Sequence, residues 1–198
     1  AKDAAEISDK LFTIVGRGSV KFEALANNMS QLLPIASSTG VSLNDLGGAI
    51  IRMSQTSMPM AQIETGLSGL IRQLGAATPE AKEFAKTIGV DLSEEALKKG
   101  LVPMMEQLSK ATGGSLELIR KIIPDTEGAN AALILMANNA KLLKTEVAAM
   151  GEGVGASTKA LEIQTKSYAF QVSKLNSDLE NLKITFGDIV NKALVPFI

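Results

Sequence analysis

Apolar residues recur along most of the chain at intervals of three and four positions, the spacing that gathers them on one face of an α-helix. Before residue 150 this pattern predicts about nine short helices, because glycines, prolines and capping residues repeatedly interrupt it. The predicted helices cover 1–15, 19–38, 43–53, 59–74, 78–89, 93–100, 103–112, 116–123 and 126–150, the last as one helix or as two broken near 138–139. No window alternates apolar and polar residues as a strand does, so we expect an all-α, multi-helix bundle without a sheet.

Several helix ends follow from single residues. The predicted N-caps are Ser42, Thr78, Ser93 and Ser115. Asp45 lies three positions after Ser42 and completes a capping box with it. Pro34 falls inside the predicted helix 19–38, where it removes a hydrogen-bond donor, so we expect a kink or an end near Leu33.

The pattern changes near the C-terminus. Three glycines lie in 151–157, which we interpret as a hinge after a helical core domain at 1–150. Residues 158–198 then predict one long amphipathic, coiled-coil-like helix, because apolar residues keep a 3-4 spacing from Tyr168 to Ala193. We expect this helix to mediate parallel self-association through Leu161, Tyr168, Val172, Leu175, Leu179, Leu182, Phe186 and Ile189.

The size of the apolar heptad residues, which form the seam between associating helices, indicates how many copies associate. Tyr168 and Phe186 are bulky for a two-stranded seam, so a trimer is favoured and a hexamer is possible. The alternative is that the helix folds back on the core domain, although a seam limited to two positions per heptad is narrower than the apolar stripe usual in a globular bundle.

The amino-acid composition excludes several classes of function. The 198 residues are 45% hydrophobic but only 4% aromatic, so a core of aliphatic residues and Met is expected. The absence of Cys and His excludes disulfides, zinc sites built from these residues and imidazole catalysis. A net charge of −1 argues against stable nucleic-acid binding. No apolar run is long enough for a membrane span, and the lack of an initial Met suggests a piece of a longer chain.

The candidate chemical sites have structural explanations. The glycine-rich run 151–155 lacks the preceding strand of a nucleotide-binding loop, so a linker is favoured. Glu80 with Glu83, and Glu94 with Glu95, lie in the first turns of predicted helices, where acids favour the helix dipole over acid–base catalysis. Five methionines are interpreted as core residues rather than as a soft-metal or partner site: Met53, Met58, Met60, Met104 and Met105. We therefore expect no enzyme, cofactor, metal or small-molecule substrate.

One segment carries a family resemblance. Residues 40–74, GVSLNDLGGAIIRMSQTSMPMAQIETGLSGLIRQL, resemble the core region of phage tail tape measure proteins. In that family a helix opens with Gly-Val-Ser-Leu, and the next carries an Ala-Gln and then a Gly-Leu pair. The resemblance continues through TPEAKEFAKTIGVDL (78–92), LVPMMEQL (101–108), EGANAALILMAN (127–138) and NLKITFGDIVNKALVPFI (181–198). Family members are normally much longer, and Ser57 stands where many relatives have glycine.

The resemblance implies a structural role. It predicts a helical chain in the phage tail lumen that helps determine tail length during assembly and is released at DNA ejection. The implied partners are further copies of the chain, the tail tube, the distal tail and assembly chaperones. The implied location is the virion, or the host cytoplasm during assembly, and a prophage-encoded protein in a bacterium is the alternative source. The alternatives are a membrane-interacting helical segment that aids DNA passage, a cell-wall hydrolase, and an unrelated bacterial helical adaptor.

Overall fold

The computed structural model describes residues 2–153, 155, 166, 172 and 173. Residues 2–153 form ten α-helices, and the described residues include no strand, which confirms the all-α prediction. The helices are α1 Lys2–Arg17, α2 Phe22–Thr39, α3 Leu43–Ser54, α4 Met60–Gly75, α5 Pro79–Thr87, α6 Glu94–Lys98, α7 Leu101–Thr112, α8 Leu116–Ile122, α9 Thr126–Met136 and α10 Lys141–Glu152.

The chain divides into two units, residues 1–156 and 157–198, and all ten helices belong to the first. The predicted long helix over 158–198 lies outside the described residues except at Lys166, Val172 and Ser173, which are helical.

The helix starts follow local chemistry. Each predicted cap accepts a hydrogen bond from the backbone N–H three residues further on: Ser42, Thr78, Ser93 and Ser115. Asp125 caps α9 in the same way, accepting from the Gly128 N–H at 2.6 Å. Pro79 occupies the first turn of α5, where its missing N–H has no intrahelical partner to lose.

The expectation of an early end at Pro34 is wrong, because α2 continues through it to Thr39. Pro34 is exposed, and so is Ser30, whose carbonyl would otherwise accept the missing hydrogen bond. Water can therefore solvate that carbonyl. The helix ends instead at Gly40, which adopts the left-handed conformation with φ 76° and donates to carbonyls of the last turn.

The break predicted near 138–139 separates α9 from α10. Asn138, Asn139 and Ala140 all have positive φ, at 54°, 53° and 57°. Three consecutive residues in the left-handed region cannot continue a right-handed helix, so α10 begins only at Lys141.

The core is assembled from three principal helix pairs: α3 with α10, α4 with α9, and α2 with α4. Their facing side chains are almost entirely aliphatic, as the aromatic-poor composition predicts. The fully buried members include Leu46, Ile50, Ile63, Leu67, Leu70 and Ile71. Met53, Met60, Met104 and Met105 are also buried, in agreement with their interpretation as core residues.

Two of these pairs approach so closely that glycine is required. A Cβ on Gly48 of α3 would lie 2.5 Å from Val147 Cγ2 and 2.7 Å from the Val147 backbone nitrogen in α10. A Cβ on Gly128 of α9 would lie 2.8 Å from the Leu70 nitrogen of α4. The α3–α10 and α4–α9 pairs are therefore in backbone contact, which larger residues would prevent.

The turn between α3 and α4 contains a strained residue. Ser57 has φ 62°, in the left-handed region that glycine adopts freely and other residues adopt at a cost. This conformation gives a physical reason why glycine would be favoured at this position.

Candidate interaction surface

The predicted self-association residues are largely outside the described part of the chain. Only Val172 is described; it is helical and 41% exposed. The association of these residues stays a prediction.

The start of the predicted hinge is tied to α1. Gly151 belongs to the last turn of α10, and a Cβ on Gly153 would overlap the side chain of Thr13. The Gly155 N–H donates to Asp9 Oδ2 at 2.7 Å, and the Thr13 hydroxyl donates to the Asp9 carbonyl at 2.8 Å. One hydrogen bond thus joins Gly155 to α1, and Gly153 lies close against Thr13 of the same helix.

A second polar cluster holds the C-terminal end of α1. Glu146 of α10 is only 7% exposed and accepts from Arg17 Nε at 2.7 Å and from Gln55 Nε2 at 3.0 Å. Burial acts to raise the pKa of Glu146, but these two hydrogen bonds and the charges of Arg17 and Arg52 outweigh it, so the pKa is lowered. Glu146 therefore joins α1, α3 and α10 as a charged carboxylate.

A single carboxylate serves the starts of two helices. Asp45 lies in the predicted capping box with Ser42 at the start of α3, and its Oδ1 also accepts from the Leu101 N–H at 2.9 Å. Gly100, the residue before α7, has no side chain to offer as a cap. Asp45 therefore supplies the cap that α7 lacks.

Four large apolar side chains on α1 and α2 remain in contact with solvent. They are Ile7 at 50% exposure, Phe12 at 39%, Phe22 at 49% and Leu33 at 44%. The rings of Phe12 and Phe22 lie 6.2 Å apart between centroids, within the range of favourable aromatic pairs. Two aromatic residues exposed together in a chain that has so few mark this edge of the bundle as a candidate interaction surface.

Glu80 and Glu94, two of the four candidate acid–base carboxylates, have lowered pKa values. Hydrogen bonds from its own backbone N–H and from Thr78 lower the pKa of Glu80. The Lys98 ammonium, 2.6 Å from Glu94, lowers the pKa of that residue. A general acid needs the opposite shift. Both groups thus fit the interpretation as stabilising charges at helix starts.

Two other kinds of site, a metal-binding cluster and a membrane-spanning helix, do not occur among the residues that the structure describes. Within 2–153 and the few described positions beyond, no three acidic, Cys or His residues come close enough to hold a metal ion. No helix in that part has both the length and the apolar character needed to cross a membrane.

The comparisons with known proteins identify the family. The family of phage-related minor tail proteins matches residues 1–122, which comprise α1 to α8. This is more than half of the chain, and the chain belongs to this family. No curated protein and no solved structure matches it. The chain is thus a phage tail protein, with a structural role in the tail.

Proposed function

We propose that this chain is a segment of a tail tape measure protein, which helps determine tail length during assembly and is released at DNA ejection. The proposal is carried by the match of residues 1–122 to the phage minor tail family, together with the heptad pattern over 158–198 that predicts one long helix. An α-helix rises about 1.5 Å per residue, so a helical chain converts residue number into distance without any catalytic group. The resemblance of residues 40–74 and later segments to tape measure proteins supports the same role.

The proposed assembly is a homo-oligomer in the tail lumen, with a trimer favoured and a hexamer possible. Its contacts are formed by the heptad residues of 158–198, and its neighbours are the tail tube, the distal tail and assembly chaperones. The chain acts without a cofactor, a small-molecule substrate or enzymatic activity. A net charge of −1 supports a lumen protein that does not hold the phosphate backbone of passing DNA.

Family membership removes one alternative and leaves another to experiment. An unrelated bacterial helical adaptor does not fit a phage minor tail family. A membrane-interacting role predicts that the chain binds lipid vesicles and that changes in its length leave the tail unchanged.

Tail length is the direct test. Tandem duplication of residues 158–185 inserts four whole heptads and preserves the apolar register. In phage that carry the altered gene, the mean tail length should increase by about 42 Å, and a second copy should double the increase. Electron micrographs averaged over many particles measure this change.

The matched control keeps the chain length constant. Gly48→Ala perturbs packing in the bundle without adding residues, so tails that assemble should have normal length. Tails of unchanged length after both duplications would refute the tape measure role. Proportional lengthening together with normal tails in the control would support it.

A further inference from the structure

The break between α9 and α10 contains neither glycine nor proline. It consists of Ala137, Asn138, Asn139 and Ala140, and the last three are held at positive φ. Alanine favours the right-handed helix more than any other residue, yet Ala140 has φ 57° and is fully buried. The break is therefore imposed by packing in the bundle, and the local sequence does not require it.

The helix ends on both sides of the break are weakly marked. The N-cap of α10 is Ala140, which has no side chain that could cap the helix. The Ala140 N–H donates to the Met136 carbonyl at 3.0 Å, which is the bond that a continuous helix would form between these two residues. A change of backbone angles over 137–140 would thus join α9 and α10 without the loss of a side-chain cap at this end of α10.

The apolar pattern runs in register through the break. Apolar residues follow one another at intervals of three or four positions: Ala129, Ala132, Met136, Ala140, Leu143, Val147 and Met150. In one continuous helix these residues would share a face, and Ala140 would carry that face across the break. In the bundle the face is divided, because α9 packs mainly on α4 and α10 mainly on α3.

We propose that residues 126–152 are a conformational switch, in which α9 and α10 become one helix about 40 Å long when α10 leaves α3. The two helices have 11 and 12 residues, and isolated helices shorter than about 12–15 residues are marginal in water. Helix α9 stays on α4, held by the close contact at Gly128. A released α10 is therefore stable as a helix only when it continues α9.

Two sets of contacts keep the switch in its bent form. Gly48 of α3 allows the backbone of α10 to approach at Val147, and Glu146 accepts hydrogen bonds from Arg17 and Gln55. These contacts compensate for the left-handed strain at 138–140. When they are lost the strain is released, so the conversion needs neither a second chain nor a ligand.

A distance between two spin labels in the full chain distinguishes the two forms. The chain contains no Cys, so Asn130→Cys and Ala148→Cys, at two exposed positions, are the sole sites of labelling. In a continuous helix these positions lie about five turns, or about 27 Å, apart on the same face. The left-handed break redirects the chain, so they lie closer together in the bundle. Pulsed electron paramagnetic resonance measures the distribution of distances.

Two substitutions release α10 from opposite sides of its contact with α3. Leu143→Glu places a carboxylate at a fully buried position of α10 and retains a good helix former. Gly48→Val adds a branched side chain where even a Cβ would lie 2.7 Å from the Val147 nitrogen. Each variant should show a population at about 27 Å that the labelled parent lacks. Far-ultraviolet circular dichroism checks that the chain remains helical.

The exposed residue Asn139 provides a matched pair of variants within the break. In the Leu143→Glu chain, Asn139→Ala should give a ratio of the 27 Å population to the remainder about fivefold higher than Asn139→Gly, because alanine favours the right-handed helix. A turn with no capacity to convert would let the two variants differ in melting temperature but would produce no population at 27 Å in either.

Three outcomes would overturn the proposal. The first is an unchanged short distance in both release variants, since neither substitution can be accommodated while α10 stays docked on α3. The second is a broad distribution without a maximum near 27 Å, which would mean that α10 unfolds when it is released. The third is an equal 27 Å fraction in Asn139→Ala and Asn139→Gly, which would exclude helix formation through the break. None of these outcomes bears on tail length, so the proposed tape measure role stands or falls separately.

Discussion

Replacement of Gly48 by Ala tests the close contact between α3 and α10. The added Cβ would lie 2.5 Å from Val147 Cγ2, 2.7 Å from its nitrogen and 2.9 Å from its Cα. Favourable carbon contacts lie near 3.5–4.0 Å, so α10 has to move away by about 1 Å. Two of the three obstructing atoms belong to the backbone, and a change of rotamer cannot relieve them.

The expected effect is a balance of two opposing terms. Overpacking of a core typically costs about 1–3 kcal/mol. Replacing a helical glycine with alanine returns up to about 1 kcal/mol through helix propensity. We expect Gly48→Ala to lower the free energy of unfolding by about 1 kcal/mol, the difference between these terms.

Gly16 supplies the matched control. It lies in the last turn of α1, and a Cβ there would meet no atom within 4 Å. Gly16→Ala should therefore raise the free energy of unfolding by about 0.5 kcal/mol. Urea unfolding followed by far-ultraviolet circular dichroism measures both variants. If Gly48→Ala proves as stable as Gly16→Ala, the close contact between α3 and α10 is refuted.

Two further predictions concern a strained turn and a buried charge. Ser57→Gly should raise the free energy of unfolding by about 0.5–1 kcal/mol, because glycine relieves the left-handed strain at a smaller entropic cost. Ser30→Gly, an exposed control inside α2, should lower it, and a melting series in which both fall would contradict the strain at Ser57. The pKa of Glu146 is lower in the folded chain than its ordinary value, so its contribution to stability is complete above about pH 4.3 and is lost as the pH falls through the lower folded value. Urea titrations from neutral pH to pH 3 should thus show a fall in stability that is shallower in Glu146→Gln, and equal slopes would argue against the Arg17 pairing.

The sequence predicts the helices well because their ends depend on neighbouring residues. Ser42, Thr78 and Ser93 cap helices by bonding an N–H only three residues away. The pairing of Arg17 with Glu146 joins residues 129 positions apart, and no local pattern predicts it. Gly48 likewise looks unfavourable within α3 until the path of α10 is known.

The sequence predicts the apolar positions of the candidate interaction surface but not which of them are exposed. The apolar positions of α2 can be read as a wide stripe, but the sequence does not say which part of that stripe the bundle covers. Burial of Leu25 and Leu32 and exposure of Phe22 and Leu33 decide the question, and both depend on where α4 packs. The sequence-based prediction at Pro34 fails for a related reason. The destabilisation that a proline causes within a helix depends on whether the carbonyl that loses its donor can be solvated by water.

The cap that Asp45 supplies to α7 has a consequence for how the folded chain opens locally. The start of α7 depends on a carboxylate 56 residues earlier, because Gly100 has no side chain and Leu101 donates to Asp45 Oδ1. The Leu101 N–H thus has its partner only while α3 is docked, and displacement of α3 leaves it unpaired. A local opening that displaces α3 should therefore also loosen the start of α7, although 56 positions separate the two residues that form this hydrogen bond.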